Sequence, residues 1–186
     1  MEFQWERKDS VYIVTVVVAI YCAFQLGMWA APLAACQMPT SNYAREYIRM
    51  VDIANLTGDD LNTTRAKMQD VFTLNAIYHG THDYMDGVYD CKFMAMDVWN
   101  MLETRGIDAR IVVGDTDHRA DRIENATHVW VVAEVHPGSW VAVETTGGYL
   151  VCDDGVVNVC DRTNSLYYEG WMYDNPNEYV RTVRWY

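Results

Sequence analysis

The stretch "DCKFMAMDVWNMLETRGIDARIVVGD", residues 90–115, decides the fold class because its hydrophobic period changes part-way along. Its first part has apolar residues at helical spacing, whereas "ARIVVG" near its end is a short run typical of a strand. Asp90 is a favourable N-cap and Gly106 is a favourable C-terminal stop. The stretch therefore predicts a helix over 91–105 that is followed at once by a strand.

The segments on either side follow the same order, with helices first and strands after them. Apolar positions recur at helical spacing over 43–56 and 61–79, and Gly58 lies between the two as a stop. After Gly106 the period is two, and the predicted strands are "DARIVVGD", "THVWVVAEV", "SWVAVETT", "GYLVC" and "VVNVC". The aromatic tail "YYEGWMYDNPNEYVRTVRWY" is predicted to pack on the sheet. This order is typical of an α+β domain in which helices pack on an antiparallel sheet.

Composition and charge favour one globular domain and exclude one class of partner. The chain has 186 residues, of which 51% are hydrophobic and 22% are charged, so a single domain can bury its own core. The formal net charge is −12, and lysine occurs only three times. Such a surface repels a phosphate backbone, and we expect no binding to nucleic acid.

The N-terminal segment predicts a membrane anchor. No charged residue occurs from Val11 to Cys36, and about 20 apolar residues suffice to cross a bilayer as a helix. Because a pair of basic residues precedes this segment, we expect residues 1–38 to be the anchor and residues 39–186 to face the extracytoplasmic side. Two alternatives remain: "LAAC" resembles a lipobox that would make Cys36 a lipid attachment site, and the segment resembles a cleaved signal peptide.

An extracytoplasmic location favours disulfide bonds among the cysteines of the domain. "CDDGVVNVC" predicts a hairpin whose Asp154-Gly155 turn brings Cys152 near Cys160. A bond between these two cysteines is one interpretation, and two free thiols are the alternative. Cys91 is then left without a partner in the domain, as a reactive thiol would be.

Cys91 occupies the first position of the predicted helix. It begins an apolar stripe that continues through Ala95, Val98 and Leu102. The unpaired N–H groups and the dipole at a helix N-terminus stabilise a thiolate, so a nucleophile is one interpretation. A small cysteine that simply packs against the core is the other, and helix position alone favours it.

A base and an acid in two later strands favour the nucleophile. His128 begins one predicted strand, and Glu144 lies in the next. A hairpin loop of odd length, such as "HPG" over 136–138, sets Trp130 opposite Glu144 and makes His128 its diagonal neighbour, within reach of the two side chains. A loop of even length spoils this register unless a β-bulge restores it.

Taken in order, the helix stretch, "THVWVVAEV" and "WVAVETT" resemble the transglutaminase-like family, which has a papain-like core. The resemblance covers about residues 61–150. It implies that Cys91 is the nucleophile, His128 the base and Glu144 the acid. Two positions depart from the family pattern, because Asp90 stands where a small residue is common and Glu144 replaces the usual aspartate.

Acyl transfer at such a site also needs an oxyanion hole and a substrate groove. The backbone N–H of Cys91 is the expected first oxyanion donor. Tyr84 and Tyr89 are candidates for the second donor, and Trp130 is a candidate wall of the groove, although a core position is the simpler interpretation. The histidines of "HGTHDYMD" lack the further ligands of a metal site, so we expect neither a metal nor an organic cofactor.

These residues predict an extracytoplasmic, membrane-anchored cysteine enzyme that performs acyl transfer. The Cys91 thiolate attacks an amide or isopeptide carbonyl, His128 protonates the leaving amine and Glu144 orients the imidazole. Hydrolysis of a peptide or protein, such as cell-envelope peptide, is expected ahead of transamidation because water needs no second-substrate site. The alternative function is a domain of the same family that has lost catalysis and binds or scaffolds extracellular peptide.

Overall fold

The computed structural model describes residues 44–152, 160–162 and 164–183. The α-helices are α1 (Gly58–His79), α2 (Cys91–Thr104) and α3 (Pro176–Thr182). The strands are β1 (Glu46–Tyr47), β2 (Ala109–Gly114), β3 (His128–His136), β4 (Ser139–Glu144), β5 (Tyr149–Val151), β6 (Cys160–Arg162) and β7 (Glu169–Tyr173). Short 3-10 turns span Ile53–Asn55, Ile123–Asn125 and Ser165–Tyr168.

Local signals explain the bounds of α2. The Asp90 side chain accepts a hydrogen bond from the N–H of Lys92 at 3.1 Å, as expected of an N-cap. Gly106 follows the helix with a φ of 72°, a backbone conformation that favours glycine. The helix ends at Thr104, one residue before the predicted end, and the prediction is otherwise confirmed.

Helix α1 is longer than the sequence pattern predicts. The pattern covers 61–79, whereas the helix spans Gly58–His79, so Gly58 begins this helix and does not merely separate two others. Asp59 and Asp60 follow in the first turn, where negative charge interacts favourably with the helix dipole.

The seven strands form one sheet in the order β1-β7-β2-β3-β4-β5-β6. Neighbouring strands are antiparallel except for β5 and β6, which are parallel. Buried residues of α1 and α2 share one core cluster with residues of the sheet. The predicted α+β class, with helices packed on a largely antiparallel sheet, is therefore confirmed.

Strand β3 buries side chains on both of its faces. Val129 and Val131 belong to the larger core cluster, together with the apolar sides of α1 and α2. Trp130 and Val132 point the other way and pack in a second cluster that includes Tyr167. Fully burying one aliphatic side chain of this size contributes roughly 1.5–3 kcal/mol to the free energy of folding. The strand that begins with His128 is thus held firmly on both sides.

The helix predicted over 43–56 does not form in the described part of that segment. The backbone N–H of Val51 donates to the carbonyl of Trp140 at 2.9 Å, so the segment runs beside β4. Val51 and Ile53 are both buried, which is the spacing of extended chain and not of a helix. The prediction was wrong because pairing with the sheet outweighed local helix propensity.

The hairpin predicted for "CDDGVVNVC" is also wrong. Strands β5 and β6 are parallel, with Leu150 paired to Cys160, and a tight turn cannot join parallel neighbours. The predicted turn itself lies outside the described residues. Cys152 is disulfide-bonded, whereas Cys91 is a free thiol. The described side chains do not include the partner of Cys152, so its bond to Cys160 stays a prediction.

The aromatic tail does more than pack on the sheet. It supplies β7, which lies between β1 and β2 and pairs with both of them. Tyr167 and Tyr168, which precede β7, are buried in the second core cluster. The C-terminal part of the chain therefore completes both the sheet and its second core.

The predicted anchor, residues 1–38, lies outside the described residues. Among the helices that the structure does describe, none is both long enough and apolar enough to cross a membrane. The described residues all belong to one compact unit, Tyr43–Tyr186. A domain boundary after residue 38 stays a prediction.

Candidate active site

Cys91 is the first residue of α2, and it is half-buried. Its thiol is free. The first N–H groups of a helix have no partner within the helix, and together with the helix dipole they favour a negative charge on the sulfur. A cysteine that is partly open to solvent at this position has the setting expected of a nucleophile.

His128 and Glu144 form a close pair on adjacent strands. Nε2 of His128 lies 2.7 Å from Oε2 of Glu144, and the two side chains are 20% and 4% exposed. Val131 pairs with Val143, and the same register continued to the strand ends places Trp130 opposite Glu144. His128 is therefore the diagonal neighbour of Glu144, as predicted.

A β-bulge sets this register. The loop between β3 and β4 has only two residues, Pro137 and Gly138, and the strand pairing shifts between Glu134 and His136. The shift adds one residue to β3 and restores the register that an even loop would lose. Of the two predicted routes to the diagonal pair, the chain uses the even loop with a bulge and not the odd loop.

The imidazole of His128 also interacts with the thiol of Cys91. Burial by itself lowers the pKa of His128, but hydrogen bonds to Cys91 and Glu144, and the negative charges of both, raise this pKa by more. The net result is a pKa well above the ordinary value of about 6.5. Because Nε2 faces Glu144, Nδ1 is the ring nitrogen left for the thiol. The arrangement favours an imidazolium between Cys91 and the Glu144 carboxylate.

Glu144 is buried, and its carboxylate accepts four hydrogen bonds. One comes from His128, two come from the N–H and the hydroxyl of Thr146, and one comes from the Tyr167 hydroxyl at 2.8 Å. Burial raises the pKa of Glu144, but these hydrogen bonds and the positive charge of His128 lower it by more. The carboxylate therefore stays ionised although the Glu144 side chain is only 4% exposed.

Trp130 supports the imidazole and does not line a groove. Its ring is fully buried and lies 5.8 Å from the His128 ring, at an interplanar angle of 26°. Its Nε1 donates to the carbonyl of Tyr167 at 2.9 Å. A fully buried ring offers no surface to a substrate. The groove-wall prediction is therefore wrong, and the core interpretation is confirmed.

The two tyrosines predicted as oxyanion donors lie in different settings. Tyr84 is half-exposed, and its pKa is raised first by partial burial and then by negative charges that include the Cys91 sulfur. Tyr84 therefore lies near the thiol. The Tyr89 hydroxyl instead contacts the Tyr78 hydroxyl and the carboxylate of Asp97, so it is already occupied.

These contacts of Tyr89 fix the segment that leads into α2. Tyr78, on α1, donates to Asp97 at 3.1 Å, so one carboxylate on α2 links both helices to the segment 80–90. The sequence gives no signal for this network, because its members stand apart in the chain and carry no motif. It holds the backbone just before Cys91 in place.

Two hydrogen-bond partners of Glu144 were also missed. Tyr167 stands 23 residues after Glu144 and gives no local signal. Thr146 stands two residues after Glu144, and the sequence "ETT" could have indicated it, because short side chains often bond across a turn of this length. Asn75, on α1, donates to the backbone carbonyl of Glu144 at 3.1 Å and so ties the acid to the helical layer.

Comparisons of the chain with protein-family models, with curated proteins and with solved structures find no match. The family resemblance therefore rests on the sequence motifs.

Proposed function

We propose that this chain is an extracytoplasmic cysteine enzyme of the transglutaminase-like family, which carries out acyl transfer through Cys91, His128 and Glu144. The single observation that carries the proposal is the position of His128 between the other two residues. It interacts with Cys91 on one side and with Glu144 on the other. A nucleophile, a base and a residue that orients the base are the parts that covalent acyl transfer requires.

The first chemical step is attack of the Cys91 sulfur on the carbonyl carbon of an amide or isopeptide. The C–N bond breaks, and the proton that His128 carries goes to the departing amine. The acyl group is left on sulfur as a thioester. The backbone N–H of Cys91 faces the developing oxyanion as one donor.

The second step releases the acyl group. Water attacks the thioester, His128 takes a proton from that water, and the Cys91 thiolate leaves as the carboxylic acid forms. An amine in place of water gives a new amide. Hydrolysis is the preferred outcome because it needs no second binding site.

Glu144 acts on His128 and does not touch the substrate. Its Oε2 fixes the proton on Nε2, so Nδ1 faces Cys91 as the catalytic nitrogen. The buried carboxylate also stabilises the imidazolium, which raises the pKa of His128. Glu144 is therefore a positioning residue.

The topology supports a papain-like core. The nucleophile begins a helix that packs on the sheet, and the other two residues stand on adjacent antiparallel strands. The charge-free segment before the domain supports placement outside the cytoplasmic membrane.

Alkylation of Cys91 tests the proposal without a known substrate. We expect iodoacetamide to alkylate Cys91 at least about tenfold more slowly in His128→Ala, because the imidazolium that stabilises the thiolate is lost. His118→Ala is the matched control, since the His118 side chain is 69% exposed and stands outside the site. Equal alkylation rates in the wild type, His128→Ala and His118→Ala would contradict the Cys91–His128 pair.

A substrate screen tests the reaction itself. Peptide amides and cell-envelope peptides are incubated with the wild-type chain and with Cys91→Ala, and released amine is measured. We expect release only with the wild type. Peptide binding without release by either protein would instead favour an inactive binding domain.

A further inference from the structure

Four exposed apolar side chains lie on the segment around Cys91. They are Tyr84, Met85, Val88 and Phe93, which are 50%, 51%, 68% and 41% exposed, and we refer to them as the apolar rim. Among the described residues, the other large apolar side chains with such exposure are Tyr47, Ile77 and Val180. A local concentration of exposed apolar surface is typical of a binding site.

The apolar rim lies on the stretch of chain that leads into α2 and on its first turn. Phe93 stands two residues after Cys91, so its side chain leaves the helix in a different direction from the thiol. Burial raises the pKa of Tyr84, and an electrostatic interaction with Cys91 adds to this effect, so Tyr84 is the rim residue with an interaction to the thiol. Val88 and Met85 share one turn, in which the Val88 N–H donates to the Met85 carbonyl at 3.1 Å. We therefore expect an extended peptide bound at Cys91 to reach this segment.

The apolar rim is held in place before a ligand binds. Tyr89 exchanges two backbone hydrogen bonds with Met85, each of 2.8 Å, around a turn in which Gly87 has a φ of 67°. The Tyr89 ring stacks on Phe93 with a centroid distance of 6.1 Å and an interplanar angle of 9°. The Asp97 carboxylate binds the Tyr89 hydroxyl. A preformed surface loses little conformational entropy on binding.

Acidic side chains accompany the apolar rim. Asp83 and Asp86 are exposed, and Asp90 is buried just before the thiol. Lys92 is the one lysine or arginine of the segment 80–93, and its Nζ lies 3.0 Å from the Asp90 carboxylate. The net field beside the rim is therefore negative, which favours a cationic ligand.

We propose that the apolar rim is the specificity site for the acyl donor, and that it selects a peptide with an apolar side chain next to a basic residue. The inference rests on the proposed function, because it assigns a substrate class to the same site. The apolar side chain packs on the rim, and the basic residue lies near Asp83 and Asp86. A peptide with this pattern fits both the exposed apolar surface and its charge.

The test uses four fluorescein-labelled hexapeptides that differ at two adjacent central positions, Leu-Lys, Leu-Glu, Ser-Lys and Ser-Glu. Binding to the full chain carrying Cys91→Ala is measured by fluorescence anisotropy, and turnover is measured with the wild-type thiol. We expect the Leu-Lys peptide to bind at least about tenfold more tightly than Ser-Glu, because one buried aliphatic side chain is worth about that factor.

Variants of the rim locate the effect. We expect Met85→Ser and Val88→Ser to weaken Leu-Lys binding about tenfold and to leave Ser-Lys binding unchanged. Val180→Ser is the matched control, since Val180 is 59% exposed and stands on α3. Asp86→Asn should reduce the preference for lysine, whereas Asp70→Asn, on the exposed face of α1, should not.

The outcomes separate this inference from the proposed function. Selective binding by the rim without turnover would overturn the enzyme and keep the peptide site. Turnover that ignores the central residues and the rim variants would overturn the site and keep the enzyme. Dimerisation of the chain that Val88→Ser abolishes would also overturn the inference, because a second copy would then cover the rim.

Discussion

The Tyr167 hydroxyl lies 2.8 Å from Oε2 of Glu144, the same oxygen that faces Nε2 of His128 at 2.7 Å. The other carboxylate oxygen accepts from Thr146. With both oxygens occupied, the carboxylate cannot rotate without losing buried hydrogen bonds. The Glu144 carboxylate is therefore held in the one orientation that faces His128.

Glu144→Gln should retain the fold and reduce turnover by about 10²- to 10⁴-fold, because an amide neither stabilises the imidazolium nor enforces the tautomer. The measurement is kcat on the best substrate from the screen, with circular dichroism as the check on folding. The double variant Cys91→Ala/Glu144→Gln should have the same turnover as Cys91→Ala alone, since the effects of residues in one catalytic unit are not additive. Near-normal turnover in Glu144→Gln would leave only a Cys-His pair.

Tyr167→Phe should lower kcat about tenfold and move the pH profile of kcat/KM, because Glu144 loses a donor and holds His128 less well. Tyr168→Phe is the matched control. Its hydroxyl is also buried and bonded, but to the backbone of β4 and β5 and not to Glu144. We expect the control to lose stability by about 1–3 kcal/mol while its pH profile stays unchanged.

Stability should depend on pH through the His128–Glu144 pair. The folded-state pKa of His128 is raised, so its contribution is complete below about pH 6.5 and is lost as the pH rises through the folded value. The pKa of Glu144 is lowered, so its contribution is complete above about pH 4.5 and is lost as the pH falls through the folded value. The pair therefore contributes fully between about pH 4.5 and 6.5.

Urea unfolding of the wild type and of His128→Gln checks this window. The difference in the free energy of unfolding between the two should be largest near pH 5.5 and should shrink by pH 9. His118→Gln is the control, since the His118 side chain is 69% exposed and makes no contact with Glu144 among the described hydrogen bonds. A difference that grows toward high pH would contradict the assigned direction of the His128 pKa.

The disulfide bond of Cys152 should be to Cys160. Mass spectrometry of unreduced peptides should show these two cysteines linked and Cys91 alkylated. Cys160→Ser should lower the free energy of unfolding by about 2–4 kcal/mol, the usual range for a lost disulfide, and leave Cys91 alkylation unchanged. A linkage that includes Cys91 would argue against a resting nucleophile.

Protease added to intact cells should digest the domain or release it, because the charge-free Val11–Cys36 segment predicts an outside location. Protection until the cells are lysed would place the domain inside. Cys36→Ser distinguishes a lipidated Cys36 from an uncleaved anchor or a cleaved signal peptide. Only a lipidated protein would change its processing and its gel mobility in this variant.

The sequence predicted best where local signals agree with one another. Asp90, Gly106 and a regular apolar stripe specified α2, and alternation in β3 and β4 placed His128 diagonal to Glu144. The same rules failed for 43–56, because part of this segment pairs with β4 and does not form a helix. That strand lies about 90 residues further along the chain, and no local pattern indicates such a partner.

Long-range pairing also explains what was missed at the site. The chain between Glu144 and Tyr167 adds β5 and β6 to one edge of the sheet and then returns toward β7. Only this return brings the Tyr167 hydroxyl to Glu144. Tyr78, Tyr89 and Asp97 meet because α1 packs against α2. Hydrogen bonds of this kind depend on tertiary structure, and hydrophobic periodicity carries no information about them.

Strand β7 is the last of the described strands in sequence order, yet it lies between β1 and β2 within the sheet. On the ribosome, Cys91, His128 and Glu144 all emerge before the strand that closes this gap and before the tyrosine that holds the acid. A nascent chain therefore carries all three residues of the proposed catalytic unit before the strand and the tyrosine that complete their surroundings.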